Sequence, residues 1–110
     1  MNLGFIGTGK IASSIIYGIF KSKLKINKIY ISSRNVNIAK KLSGKFSKVK
    51  VCKNNQEIID NSKVIFLSVT PNVGKKILKK LIFDKNKIII SLISTLKIKE
   101  LKKLTNCNKI

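Results

Sequence analysis

Leu3-Gly4-Phe5-Ile6-Gly7-Thr8-Gly9-Lys10-Ile11-Ala12 decides how the rest of this chain is read. Four residues of strand character run into two glycines spaced one apart, and an apolar-periodic helical pattern follows at once. The spacing Gly7-x-Gly9-x-x-Ala12 is the glycine fingerprint of a dinucleotide site. Each position has a physical reason. Gly7 permits a tight turn, Gly9 has no side chain to hold the backbone away from a pyrophosphate, and Ala12 lets the helix press on the strand. The unpaired N–H groups and positive end of that helix then face an anion.

Outward from this start, strand and helix signals alternate to the end of the chain, the pattern of parallel βαβ units. The first strand is expected over 2–6 and the first helix over 10–21, with Ile11, Ile15, Gly18 and Ile19 inward. Lys28-Ile29-Tyr30-Ile31-Ser32 forms the second strand. Asn35 caps a second helix carrying Ile38, Ala39, Leu42 and Phe46 at helical spacing. Residues 48–52 form a third strand, and Asn54 with Glu57 marks a capping box that opens a short helix through Ile58 and Ile59. Val64 to Val69 is apolar on both faces and so central. Pro71 stops it, and Asn72 caps a helix with Val73, Ile77, Leu78 and Leu81. Residues 88–92 form the fifth strand, and Thr95 caps a last helix with Ile98, Leu101 and Leu104 on one face. Right-handed crossovers in this order give an α/β doubly wound, Rossmann-like parallel sheet of five strands, order 3-2-1-4-5. Residues 1–110 are read as one dinucleotide-binding domain, without a sixth strand or a second domain.

Composition narrows the chemistry. The 110 residues contain no histidine, two cysteines, 24 lysines and arginines, and four carboxylates, for a net charge of +20. Cys52 and Cys107 make neither a disulfide framework nor, without histidine, a metal site. The carboxylates Glu57, Asp60, Asp84 and Glu100 are too few and too dispersed for side-chain acid–base work. The charge raises nucleic-acid binding, but the lysines are spread over every helix and loop and no aromatic stacking platform is visible. No specific nucleic-acid partner is expected. Apolar runs are far shorter than the roughly 18 residues of a membrane span, and Met1 enters the first strand with no basic leader. A cytoplasmic protein is the expectation.

The type of nucleotide is read at the tip of the second strand. An acidic residue there would accept hydrogen bonds from the ribose 2′-hydroxyl of NAD. This chain has Ser32-Ser33-Arg34-Asn35. Serine hydroxyls and an arginine fork suit a 2′-phosphate, and Arg34 is the sole arginine among lysines. NADP is expected over NAD.

Taken together, the stretches 4–12, Ile15-Ile16-Tyr17-Gly18, Ser32-Ser33-Arg34-Asn35, Asn54-Asn55, 64–71 and 88–95 resemble the N-terminal domain of pyrroline-5-carboxylate reductases. The likeness implies hydride transfer from NADPH to the C=N bond of a cyclic imino acid, in proline synthesis. It implies that Gly7, Thr8, Gly9, Lys10 and Ile11 hold the pyrophosphate and that Ser33 and Arg34 hold the 2′-phosphate. Asn55 would lie at the adenosine, with Val69, Thr70, Pro71 and Ser94 flanking the nicotinamide. No catalytic side chain is implied; the cofactor carries the chemistry. The chain departs from the family at Thr70, usually lysine, at Ser94-Thr95, usually Ala-Gly, and at Lys63, often aspartate. These departures raise a second expectation, a non-catalytic NADP-binding or interaction module. The family's helical C-terminal dimerisation domain, source of most of the imino-acid site, is absent from these residues. A homo-oligomer or a complementing chain would have to supply it. The last helix is expected to expose its outward Leu and Ile side chains.

Overall fold

The computed structural model describes residues 1–110. Ten elements alternate: β1 Asn2–Ile6, α1 Lys10–Lys21, β2 Lys28–Ser32, α2 Val36–Lys45, β3 Val49–Cys52, α3 Asn55–Asn61, β4 Val64–Leu67, α4 Pro71–Leu78, β5 Ile88–Ser91 and α5 Ile98–Thr105. All strand pairs are parallel and the sheet order is β3-β2-β1-β4-β5. The order reverses between β1 and β4, and in such sheets ligands bind where the strands' carboxyl ends diverge at that reversal.

Two cores cover the two faces. Ile16, Ala12, Ala39 and Leu42 from α1 and α2 close on Leu3, Phe5, Ile29 and Ile31. Ile58, Ile59, Leu78 and Leu101 from α3, α4 and α5 close on Ile6, Ile65, Leu67 and Ile89. The Phe5 and Phe66 rings stack across β1 and β4 at 4.4 Å.

Several boundaries differ from the sequence reading. In α1 Ala12 and Ile16 are fully buried and Ile15 and Ile19 pack half-buried against the same core, as expected for the last two, whereas Ile11 is 61% exposed and Gly18 lies at the surface. Ala12 sits against the sheet and swings Ile11 out over the strand ends. β4 stops at Leu67; Ser68 N–H still donates to the Ile6 carbonyl at 2.9 Å, and Val69 and Thr70 leave the sheet. Thr70, rather than Asn72, is the N-cap of α4, and Pro71 occupies its first turn, where a missing N–H costs nothing. Lys97, not Thr95, precedes α5, with no side-chain cap bond. The caps at Asn35 and Asn54 form, their Oδ1 atoms accepting from Ile38 N at 3.4 Å and Glu57 N at 2.9 Å, but the Glu57 side chain does not return a bond to Asn54 N, so the expected capping box is half made.

The sheet has the five strands expected; beyond them a single isolated bridge lies at the edge of β5, where Lys109 pairs in parallel with Ile88 and its carbonyl accepts from Ile89 N at 2.8 Å. In α5, Leu101 is fully covered and Leu104 half-buried, so only Ile98 of its apolar residues is exposed. The expected open leucine face is therefore closed by the α4 side of the core. No helix is long and apolar enough to cross a membrane.

Candidate functional site: a dinucleotide cleft at the carboxyl edge

β1 ends at Ile6 and the backbone turns at Gly7 with φ +94°, a left-handed value that glycine takes without strain. A Cβ at Gly7 would also collide with the Ser68 carbonyl and reach Val69 Cγ1 at 2.8 Å, so the turn and the β4 exit are interlocked. Gly9, the N-cap of α1, has nothing within 4 Å of where its Cβ would stand. Its open side is the cleft. No side chain caps α1, which leaves its first N–H groups free, as a helix start does unless something caps it.

Around this turn lies a cleft of about 850 Å³. Its floor is Gly7, Thr8, Gly9, Lys10 and Ile11, one wall is Ser68 to Pro71, and Leu92 and Ser94 reach it from the end of β5. The opposite wall is Arg34, Asn35, Val36 and Asn37 at the start of α2. A smaller hollow of about 240 Å³ adjoins it, lined by Ser32, Ser33, Arg34, Lys53, Asn54 and Asn55. Arg34 lines both.

The electrostatics are one-sided. Lys10, Arg34 and Lys53 line these hollows and no carboxylate does. Two buried hydroxyls there lack any partner: Thr8 Oγ1, on a residue 3% exposed, and Ser32 Oγ, on a residue 6% exposed. Leaving a buried polar group unpaired costs on the order of 1–3 kcal/mol. A polar ligand that engaged these atoms would remove that cost. A dinucleotide phosphate fits this donor set of free helix N–H groups, hydroxyls and cations without rearrangement of any acidic residue. Cys52, behind the smaller hollow, is no nucleophile: burial first, then the charge and hydrogen bond of Glu57, push its thiol up to about 11. No group of His, Cys, Asp or Glu side chains stands in a metal-binding arrangement.

Of the residues singled out in the sequence, Gly7, Thr8, Gly9, Lys10, Ile11, Arg34, Val69, Thr70, Pro71 and Ser94 line the larger cleft. Ser33 and Asn55 line the smaller hollow beside Arg34. Ser68, Val73, Leu92 and the α2 start Val36–Asn37 were missed as cleft residues, as were Lys53 and Asn54 at the hollow, while Ser32 and Asn35 belong to the strand-tip stretch already read as suiting a phosphate. The available signal was the strand register. Ser32 sits opposite Cys52, so whatever follows β3 emerges beside whatever follows β2.

A parallel sheet with a glycine turn and an uncapped helix at its reversal point is the architecture of a dinucleotide-binding domain. The chain belongs to the family described as NADP oxidoreductase, coenzyme F420-dependent, which matches residues 2–95. It is similar to a pyrroline-5-carboxylate reductase of Glycine max, 32% identical over 101 residues, which cover 90% of this chain and 37% of that protein. The 1-pyrroline-5-carboxylate reductase structure from Streptococcus pyogenes superposes with a TM-score of 0.77 at 26% identity, over 96% of this chain and 38% of that one. Prephenate dehydrogenase from A. aeolicus superposes as well, with a TM-score of 0.79 over 94% of this chain and 38% of that one, but at 18% identity it shares the fold alone. The chain thus spans less than two fifths of the length of these relatives. It is an NADP-binding domain like that of the pyrroline-5-carboxylate reductases.

Proposed function

We propose that this chain is the NADPH-holding part of a pyrroline-5-carboxylate reductase, acting on a cyclic imino acid once a helical domain or a partner chain completes the substrate site. The observation that carries it is Arg34, which lines the dinucleotide cleft and the acid-free polar hollow at the same time. An NAD site would present a carboxylate at this strand tip. Here a guanidinium and two serines stand instead, a set for a ribose phosphate.

The backbone N–H groups of residues 9–11 and the Thr8 hydroxyl hold the pyrophosphate. Ser33, Arg34 and Asn55 hold the adenosine end. Val69, Thr70, Pro71 and Ser94 shape the place for the nicotinamide, whose hydride is the chemistry NADPH supplies when bound. These side chains orient the reacting groups and exclude water. The proton that the imine nitrogen takes up with the hydride comes from solvent or from the part that completes the site, because none of these side chains is an acid. A second reading, an NADP-binding module without imine reduction, is favoured by Thr70. It is exposed at the cleft where the resembling reductases carry lysine.

Titration with NADPH and NADH, at roughly 0.15 M and then at about 1 M salt, tests the proposal. The Debye length falls over that range from about 8 Å to about 3 Å, so nonspecific attraction of a polyphosphate to a +20 chain is removed. Saturable one-site binding that survives and favours NADPH is expected. Binding that disappears, or that treats the two nucleotides alike, overturns it. Supplying the C-terminal part of a related reductase then separates the two readings by whether imine reduction appears.

A further inference from the structure

The smaller hollow has a character of its own. None of its six lining residues is apolar, and it is several water volumes in size at about 240 Å³. The sheet builds it. With Ser32 opposite Cys52 in the parallel β2–β3 pair, Ser33-Arg34 and Lys53-Asn54-Asn55 leave adjacent strands side by side. Ser32 is nearly enclosed beneath them and its Oγ has no partner. Asn54 already uses its Oδ1 as the cap acceptor for Glu57 N, which leaves its amide NH₂ as the group it can offer. Lys53 is exposed and forms no ion pair; the only one in the molecule, Lys75 with Glu100 at 4.0 Å, lies elsewhere. Glu57, the carboxylate nearest in sequence, does not line the hollow.

Two cations, two hydroxyls and two amides, with no acid among them, suit a compact dianion rather than a neutral ribose. An arginine fork satisfies two phosphate oxygens and leaves a third for a point charge. We propose that Lys53, backed by the buried Ser32 hydroxyl, is a specificity-determining partner of Arg34 for the phosphomonoester on the adenosine ribose. This assignment rests on the NADPH reading above and deepens it. The same hollow gives the discrimination between phosphorylated and unphosphorylated ribose two cationic anchors, one from each of two neighbouring strands.

The test uses the full chain with adenosine 2′,5′-bisphosphate and 5′-AMP as probes, at about 0.15 M salt, so that nicotinamide and imino-acid binding are not involved. Lys53→Gln is expected to weaken the bisphosphate about tenfold, the size of one charge-assisted hydrogen bond, and to leave 5′-AMP within about twofold. Lys53→Arg retains the affinity, and Ser32→Ala weakens the bisphosphate selectively by a few-fold. Lys85→Gln removes an exposed charge just before β5, at the opposite edge of the sheet, and should change both ligands by the same small factor. If Lys53→Gln behaves like Lys85→Gln, or leaves the preference for the bisphosphate intact, the assignment of Lys53 is overturned while the NADPH reading stands. If the unaltered chain itself shows no preference for the bisphosphate and no salt-resistant NADPH binding, both fall together.

Discussion

At the scale of single residues, the two glycines of the turn do different work, and substitution separates them. Gly7 combines φ +94° with a Cβ position already occupied by the Ser68 backbone. Gly7→Ala is therefore expected to cost on the order of 1–3 kcal/mol of stability, read as a lowered midpoint in denaturant, and to abolish nucleotide binding. Gly9→Ala meets only open space. It should cost under about 1 kcal/mol as a poorer helix cap, yet weaken NADPH binding at least tenfold, because its methyl stands in the ligand's place. Equal losses of stability would refute this division. The cysteines make a second residue-scale case. Cys52 is buried, and its thiol is raised from 9.0 to about 11. In that window the unfolded chain has released the proton while the folded one keeps it, so stability falls as pH rises from 9.0 to about 11. Below 9.0 the thiol is protonated in both states and contributes no pH dependence. Cys52→Ala should flatten that part of the stability profile, although the smaller side chain lowers its overall level. Burial also pushes the Cys107 thiol up, a shift reinforced by Asp84 and partly opposed by its hydrogen bond to Thr105 and by Lys87. Neither native thiol should react readily with a thiolate-selective reagent at neutral pH.

At the scale of elements, what could be read from the sequence was whatever depended on local periodicity. All ten elements and the caps at Asn35 and Asn54 rest on patterns within a dozen residues, the sheet order follows from their alternation and the handedness of the crossovers, and the structure contains them. The errors fall where a distant partner decides. Ile15 and Ile19 pack inward as read, but Ile11 was misplaced because it is as apolar as Ile15. Only the closeness of β1 selects the small Ala12 for the contact and leaves Ile11 over the cleft. Likewise Val69 continues the apolar run of β4, but its backbone departs from the sheet to meet the Gly7 turn. Lys53 drew no notice as one lysine among many; its neighbour across the β2–β3 pair gives it a role. Ala12 also yields the prediction that belongs to this scale. It is fully buried in the core under α1, so Ala12→Leu must lift the helix from the sheet, and overpacking of this kind costs roughly 1–3 kcal/mol. Because α1 carries the free N–H groups, NADPH affinity should fall along with stability. By contrast Ile11→Leu, at an exposed position, should leave the unfolding midpoint unchanged. A tolerated Ala12→Leu would mean the helix does not depend on that close approach.

At the scale of the whole molecule, a charge of +20 is carried by a body with extents of 36 × 26 × 23 Å. The four carboxylates are already counted in that net value, and only one ion pair forms. At about 0.01 M salt the Debye length is about 30 Å, so nearly every lysine feels the others across these dimensions. At about 1 M it is about 3 Å, and the repulsion is confined to neighbours. Compaction brings the charges closer than they lie in the unfolded chain, which makes self-repulsion a cost of folding that salt relieves. For a domain of this size each kcal/mol moves Tm by roughly 4–8 °C. A rise of several degrees between these salt concentrations is therefore expected in thermal melts of the nucleotide-free chain. NADPH stabilises by a different route, through mass action, worth about 2.7 kcal/mol at a hundred times Kd. A cofactor seated in a specific cleft should still raise Tm at high salt, by more than NADH does. A polyanion acting through charge alone should raise Tm only at low salt. If NADPH and heparin lose their effect together as salt increases, the cleft contributes no specific binding and the lysines alone account for the affinity. If NADPH keeps its effect after heparin has lost its own, the charge serves as a general attraction laid over a site built from Gly7, Gly9 and Arg34.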